Sequence, residues 1–140
     1  MCGTRVEIVT AYRIGAAAEL LGVSTDTVRR WVDAGRLPAV RDENGHRSIA
    51  GAELAGFARS LADEPAAGAR LSSARNRMRG IVTAVTRDAV MAQVDIQAGP
   101  FRVVSLMSRE AVDDLGLEVG STAVAVIKST NVVVERGDGK

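Results

Sequence analysis

A chain of 140 residues can form one ordinary domain or two small ones. Hydrophobic residues make up 46% but aromatics only 3%, so any core must be built from Val, Ile, Leu and Ala. Eighteen basic residues against seventeen acidic ones exclude a globally basic surface, so bulk charge gives no reason to expect a nucleic-acid partner. All the basic residues except Lys128 and Lys140 are arginine, whose planar fork suits phosphates, base edges and oxyanions; a GC-rich coding sequence would favour arginine equally. The single cysteine, Cys2, excludes an internal disulfide and fits a reducing compartment. With no signal peptide and no apolar run of spanning length in the sequence, a cytoplasmic protein without a membrane partner is expected.

In chain order, residues 1–11 read as a flexible N-terminus. Gly15 to Leu21 then forms a short helix stopped by Gly22, in the position of a C-cap. Ser24 is an N-cap for a second helix from about Thr25 to Ala34, closed by Gly35, with Val28, Trp31 and Val32 on one inward stripe. Two short helices joined by a tight turn make the helix-turn-helix pattern. Two extended runs, around Leu37–Arg41 and His46–Ile49, flank Asn44-Gly45, a strong hairpin signal because both residue types tolerate positive φ. A third helix from about Gly51 to Leu61 places Leu54, Phe57, Ala58 and Leu61 on one face.

The run Leu21-Gly22-Val23-Ser24-Thr25-Asp26-Thr27-Val28-Arg29-Arg30-Trp31, with Gly35-Arg36-Leu37-Pro38 and Asn44-Gly45-His46-Arg47, resembles the MerR/excisionase-type winged helix over residues 12–62. Here Asn44 replaces the family's usual first wing glycine, and Ser48-Ile49 stand where a basic and an aromatic residue are common. The resemblance implies a double-stranded DNA partner, with the second helix in the major groove. Ser24, Thr25, Thr27, Arg29 and Arg30 are its expected contacts, joined by His46 and Arg47 from the wing. Residues 1–62 hold eight arginines against seven acids, so useful affinity calls for a dimer on paired half-sites.

Residues 63–71, mixed in charge and containing Pro65 and Gly68, read as a linker. Beyond it the periodicity changes to strand-like alternation. Strands are expected at Ile81–Val85, Met91–Ile96, Phe101–Leu106, Thr122–Ile127 and Val132–Glu135, with a short helix from Arg109 to Asp114. Five strands and one helix suggest a small OB-like barrel. The whole chain is therefore expected to be α+β, in two small domains, with a tail at 137–140.

Ser73-Ala74-Arg75-Asn76, Gly80, the loop Leu115-Gly116-Leu117 to Val119-Gly120, and Ile127-Lys128-Ser129-Thr130 followed by Val132 are similar to a Mop domain of the TOBE class over residues 72–136. The resemblance implies a molybdate ligand, with tungstate as an analogue, and no bare metal cation. Molybdate is a tetrahedral dianion, held by hydroxyls, backbone N–H groups and cations. Ser73, Arg75 and Asn76 at one end of the domain, with Lys128, Ser129 and Thr130 at the other, are the implied ligands. The family's sites lie between subunits, which implies a homo-oligomer, dimer or higher, formed through this domain.

No paired-acid, Cys/His or Ser/His/Asp constellation is present and His46 is the one histidine, so a non-enzyme is expected. Three functions follow: a molybdate-responsive transcriptional regulator, a molybdate storage protein in which the helix-turn-helix has little DNA role, and a DNA-architectural protein. The second domain argues against the third.

Overall fold

The computed structural model describes residues 10–62 and 71–137, and its internal contacts divide the chain into two units, Met1–Glu64 and Pro65–Lys140. Residues 1–9 of the N-terminus expected to be flexible over 1–11, residues 63–70 of the linker expected over 63–71 and residues 138–140 of the tail expected over 137–140 lie outside the described residues, and Ala11 belongs to a strand.

In the first unit, strand β1 (Ala11–Arg13) leads directly into helix α1 (Ile14–Leu21), which ends at Gly22 with φ of +70°. Only a residue without a Cβ enters that left-handed conformation freely, and its N–H closes the helix onto Ala18 and Glu19 carbonyls. Helix α2 (Thr25–Asp33) starts where the Ser24 hydroxyl accepts the Thr27 backbone N–H at 3.1 Å. Strands β2 (Val40–Arg41) and β3 (Arg47–Ala50) form the hairpin, and helix α3 (Gly51–Leu61) follows without a break.

The three strands form an antiparallel sheet in the order β1-β3-β2. Strand β1, absent from the sequence reading, is only three residues long and takes its form from pairing Tyr12 with Ile49. Ala17, Ala18, Val28, Leu37, Ile49 and Leu54 make the core, with Trp31 packed on its edge against Phe57 at 4.9 Å between ring centroids. Leu61, expected on the inner face of α3, is exposed because the helix outruns the core.

The hairpin turn differs from the two-residue Asn-Gly form. The loop closes through Asp42 N–H to His46 O and Gly45 N–H to Asp42 O, and only Gly45 has positive φ, at +79°. Asn44 therefore stays in the ordinary region, and Gly45 alone supplies the left-handed step of a longer loop.

In the second unit, β4 (Asn76–Arg87), β5 (Met91–Ala98), β6 (Phe101–Ser108) and β7 (Thr122–Ile127) form one antiparallel sheet in the order β6-β5-β4-β7. Helix α4 (Arg109–Leu115) starts on the Ser108 hydroxyl and buries Val112 against the sheet. Val82, Ala92, Val94 and Ile96 complete that core, and the strand alternation sends Gln93, Asp95 and Gln97 to the opposite face. Among the described residues the sheet has four strands, not five. After β7 a 3-10 turn (Ser129–Asn131) carries the chain out of the sheet, and residues 132–136 join no strand. The described segments thus form an open four-stranded sheet in place of the five-stranded barrel expected.

Candidate functional site

Two groups of sequence-selected residues occupy the two units. In the first, α2 and the β2–β3 turn carry the residues expected to meet DNA. Ser24 and Thr27 bond to each other at 2.8 Å, so the two hydroxyls fix the start of α2. Arg30 donates to the Thr27 hydroxyl at 3.3 Å, and Arg29 to the Asp26 carboxylate at 3.1 Å. Arg47 reaches from β3 to Asp33, the last residue of α2, at 2.7 Å. His46 lies 3.8 Å from Asp42. Each arginine selected from sequence is therefore steered by a neighbour on the protein, and Thr25 is exposed beside them.

Three residues outside the sequence selection organise this surface. Asp42 accepts the backbone N–H groups of Asn44 and His46, both at 2.9 Å, and shapes the turn. The His46 N–H is the larger influence holding its carboxyl below the usual 3.8. Asp33 anchors Arg47, and Arg13 stands 4.0 Å from Asp42. A carboxylate preceding Asn-Gly is a legible signal for Asp42; the pairing of Asp33 with Arg47 spans separate elements and is not.

In the second unit, antiparallel pairing of β4 with β7 matches Asn76 to Ile127. Arg75 and Lys128 are thus the next residues outward on two neighbouring strands, and Ser73, Ser129 and Thr130 follow close by. The sheet register sets Asn76 beside Ile127, so the segments 73–76 and 128–130 that carry the six residues leave the sheet at the same end of two neighbouring strands. The Asn76 side-chain amide donates to the Ile127 carbonyl at 3.1 Å, which locks the two strand ends together. Arg75 donates to the carbonyls of Ser72 and Ala74 at 2.9 and 3.3 Å. The Ser72 hydroxyl accepts the Ala74 N–H at 3.1 Å. Ser72, not selected from the sequence, is therefore what shapes the approach to β4.

Ser73, Lys128, Ser129 and Thr130 are all exposed. Lys128 forms no ion pair with any described carboxylate, and the three hydroxyls make no hydrogen bond to a described residue. This set of donors and cations without a carboxylate fits a tetrahedral dianion and would repel a bare metal cation. No cluster of three His, Cys, Asp or Glu side chains suited to a metal ion exists among the described residues.

Comparison with known proteins agrees with this division. Residues 72–134 match the TOBE domain family, and residues 13–49 match the MerR family of regulatory proteins. Over 63 residues the chain is 43% identical to molybdenum-pterin-binding protein 3 of Clostridium pasteurianum, covering 44% of this chain and 93% of that protein. The chain belongs to the TOBE family. Its TOBE domain contains all six residues expected to hold the anion, and the MerR-like region contains all seven expected to meet DNA. Molybdenum transport protein ModE of Herbaspirillum seropedicae is 29% identical over 136 residues, or 94% of this chain. The chain spans about half the length of that relative, 47%. The solved structure of MopII from Clostridium pasteurianum aligns with 46% of this chain and 98% of its own, at 35% identity and a TM-score of 0.44. A MerR-like region and a TOBE domain are therefore joined in one chain. No helix of the described residues is long and apolar enough to cross a membrane.

Proposed function

We propose that this protein is a molybdate- or tungstate-responsive DNA-binding transcriptional regulator, without catalytic activity, that works in the cytoplasm. The observation that carries the reading is the donor set at the β4 and β7 ends, beside a MerR-like region in the same chain. Lys128 and the hydroxyls of Ser73, Ser129 and Thr130 are unmatched by any described protein partner. Arg75 and Asn76 are held at the same place by their own hydrogen bonds. An anion here receives charge-assisted hydrogen bonds, which are shorter and stronger than neutral ones.

The donor set is exposed, so in one copy a bound dianion would stay largely hydrated. A second copy placed over it would exclude water and add donors, so the anion binds between chains of a homo-oligomer. Residues 132–134 support such assembly. Three consecutive valines suit a strand covered on both faces, yet they are 45%, 87% and 85% exposed. The outer edges of β6 and β7 have no strand partner among the described residues. Such a segment and such edges are complementary, and exchange between copies satisfies both.

In the first unit, α2 acts as the recognition helix of a winged helix-turn-helix, and β2–β3 is its wing. Ser24, Thr25, Thr27, Arg29 and Arg30 face the duplex from the helix, with His46 and Arg47 approaching from the wing. Anion binding between TOBE domains biases how two such units are presented, and so changes operator affinity.

A second reading is molybdate storage, with little DNA role for the helix-turn-helix. It is favoured by the relative from Clostridium pasteurianum, which matches the TOBE domain over almost its whole length. Calorimetric titration with molybdate, tungstate and sulfate, on the wild type and on Lys128→Ala, tests the shared core of both readings. Binding of molybdate or tungstate without sulfate, weakened in the variant, is the expected result. Absence of molybdate binding by the folded protein would sink both. Operator selection followed by mobility shift with and without molybdate separates the regulator from the store.

A further inference from the structure

We propose that a recess between α1, α2 and the β2–β3 turn seats one backbone phosphate of duplex DNA, and that Asp33 is the carboxylate this phosphate displaces. The inference rests on the DNA-binding reading and goes beyond it by assigning a seat to the backbone and a role to Arg13 and Asp33.

The recess has a volume of about 410 Å³ and opens to solvent. Its lining brings together Arg13, Arg29 and Arg47 from three separate elements, with His46 from the turn, against a single carboxylate, Asp33. Three arginines converging on one opening form an anion seat, because guanidinium groups fork onto phosphate oxygens. Asp33 already shows the contact in miniature: its Oδ1 lies 2.7 Å from Arg47 Nη1, the distance a phosphate oxygen would take. The two side chains are 31% and 61% exposed, and an ion pair so open to water is readily exchanged.

Arg13 is the least committed of the three arginines, since its one carboxylate neighbour among the described residues, Asp42, is 4.0 Å away. Ile14 and Gly15 also line the recess, at the start of α1, where no side chain caps the helix and no acidic residue lies in the first turn. Backbone N–H groups at that end add to the arginines' pull on an anion. Asp33 thus works as a filter. It holds Arg47 in place in the free protein and weakens attraction to any passing anion. A duplex that fits places its phosphate against Arg13 and Arg47 together and displaces it.

The phosphate contribution does not depend on sequence, so the test needs no operator. The full chain is titrated with mixed-sequence duplex DNA by fluorescence anisotropy across a series of chloride concentrations. Asp33→Asn is expected to tighten binding by about fivefold. Arg13→Ala is expected to weaken it and to reduce the slope of log affinity against log salt by about 0.9, the value of one phosphate contact. Arg13→Lys keeps the charge and should keep the slope, and Arg59→Ala on α3, outside the recess, should change nothing. Trp31 fluorescence checks that each variant is folded. If the wild type binds duplex but Asp33→Asn fails to tighten it, or Arg13→Ala keeps the wild-type slope, the proposal is overturned and the DNA reading survives. If the wild type binds no duplex even at the lowest salt, the DNA reading falls and this inference falls with it. Inorganic phosphate at matched ionic strength is expected to leave the unfolding temperature unchanged. A rise abolished by Arg13→Ala would make the recess a free-anion site and overturn the assignment to DNA.

Discussion

Gly80 is where the TOBE domain is least able to accept a larger residue. It lies within β4, and a Cβ added there would sit 2.3 Å from the Gln97 carbonyl oxygen, 2.8 Å from its carbon and 2.8 Å from Ile96 Cγ2. Two of the three obstacles are backbone on the neighbouring strand, and the third belongs to a buried β-branched residue, so none swings aside. Relief requires β4 and β5 to separate next to the Ile81 and Gln97 pair. Overpacking of a well-filled interior costs about 1–3 kcal/mol, and backbone obstruction puts Gly80→Ala near the upper end. For a domain of this size, each kcal/mol moves Tm by about 4–8 °C, so the variant should melt roughly 10–25 °C lower. Gly56 is the matched control: it lies in α3, has nothing within 4 Å of an added Cβ and lacks positive φ. Gly56→Ala should therefore stabilise the first unit by about 1 kcal/mol through helix propensity. Trp31, the one tryptophan, reports the first unit by fluorescence, whereas β-region circular dichroism follows mainly the second. Gly80→Ala should lower the dichroism transition and leave the Trp31 transition in place. A Gly80→Ala protein that melts at the wild-type temperature would refute the account of β4–β5 packing.

Ser24→Ala removes the hydroxyl that accepts the Thr27 N–H, and should cost about 1 kcal/mol, seen as a lower melting temperature by Trp31 fluorescence. Val133→Asp places a charge on the exposed valine segment. Light scattering should show a smaller assembly with an unchanged dichroism spectrum, and an unchanged mass would remove that segment from the interface. The Asp88 carboxyl is held below the usual 3.8, first by the Met91 N–H and then by the Val90 N–H. A lowered folded pKa means that its contribution is present above 3.8 and lost as pH falls through the folded value. The melting-temperature gap between wild type and Asp88→Asn should be constant at neutral pH and close only below 3.8. A gap that closes near neutrality would point to another group.

The sequence read most clearly where local chemistry decides the backbone. Gly22 past α1, Ser24 before α2 and the alternation in β5 each have a cause within a few residues, and the structure follows them. What depends on distant partners was less legible. Strand β1 has no pattern of its own and exists because β3 lies alongside. Val132–Glu135 has strong strand character, but the Ser129–Asn131 turn directs it away from its own sheet. Strand propensity describes fit to a covered, pleated surface, and this chain offers that segment no such surface among its described residues. The anion-site candidates rest on family resemblance; the β4–β7 register, which pairs Asn76 with Ile127, puts the two segments that carry them at one end of neighbouring strands. Ser72 and Asp33 escaped because their roles are contacts made by the fold: a hydroxyl on a turn N–H and a carboxylate reaching from one element to another.

The two units share one physical need under the proposed function. Residues 1–62 carry nearly as many acids as arginines, and two of those acids, Asp26 and Asp33, already pair with arginines that would meet DNA. One copy can therefore neutralise few phosphates, and affinity from so few contacts collapses at physiological salt. The TOBE donor set has the corresponding weakness, since exposed hydroxyls and one exposed lysine compete poorly with water for a dianion. Under the proposed function, pairing two copies would correct both, by burying the anion between donor sets and by presenting two recognition helices to adjacent half-sites. Anything that tightens the pairing then tightens both kinds of binding. Under the proposed function molybdate and operator would be coupled through assembly, and thermodynamics would require that coupling to be equal in both directions. No path of contacts through a single chain is needed for that coupling, because the shared variable is the population of the assembled form.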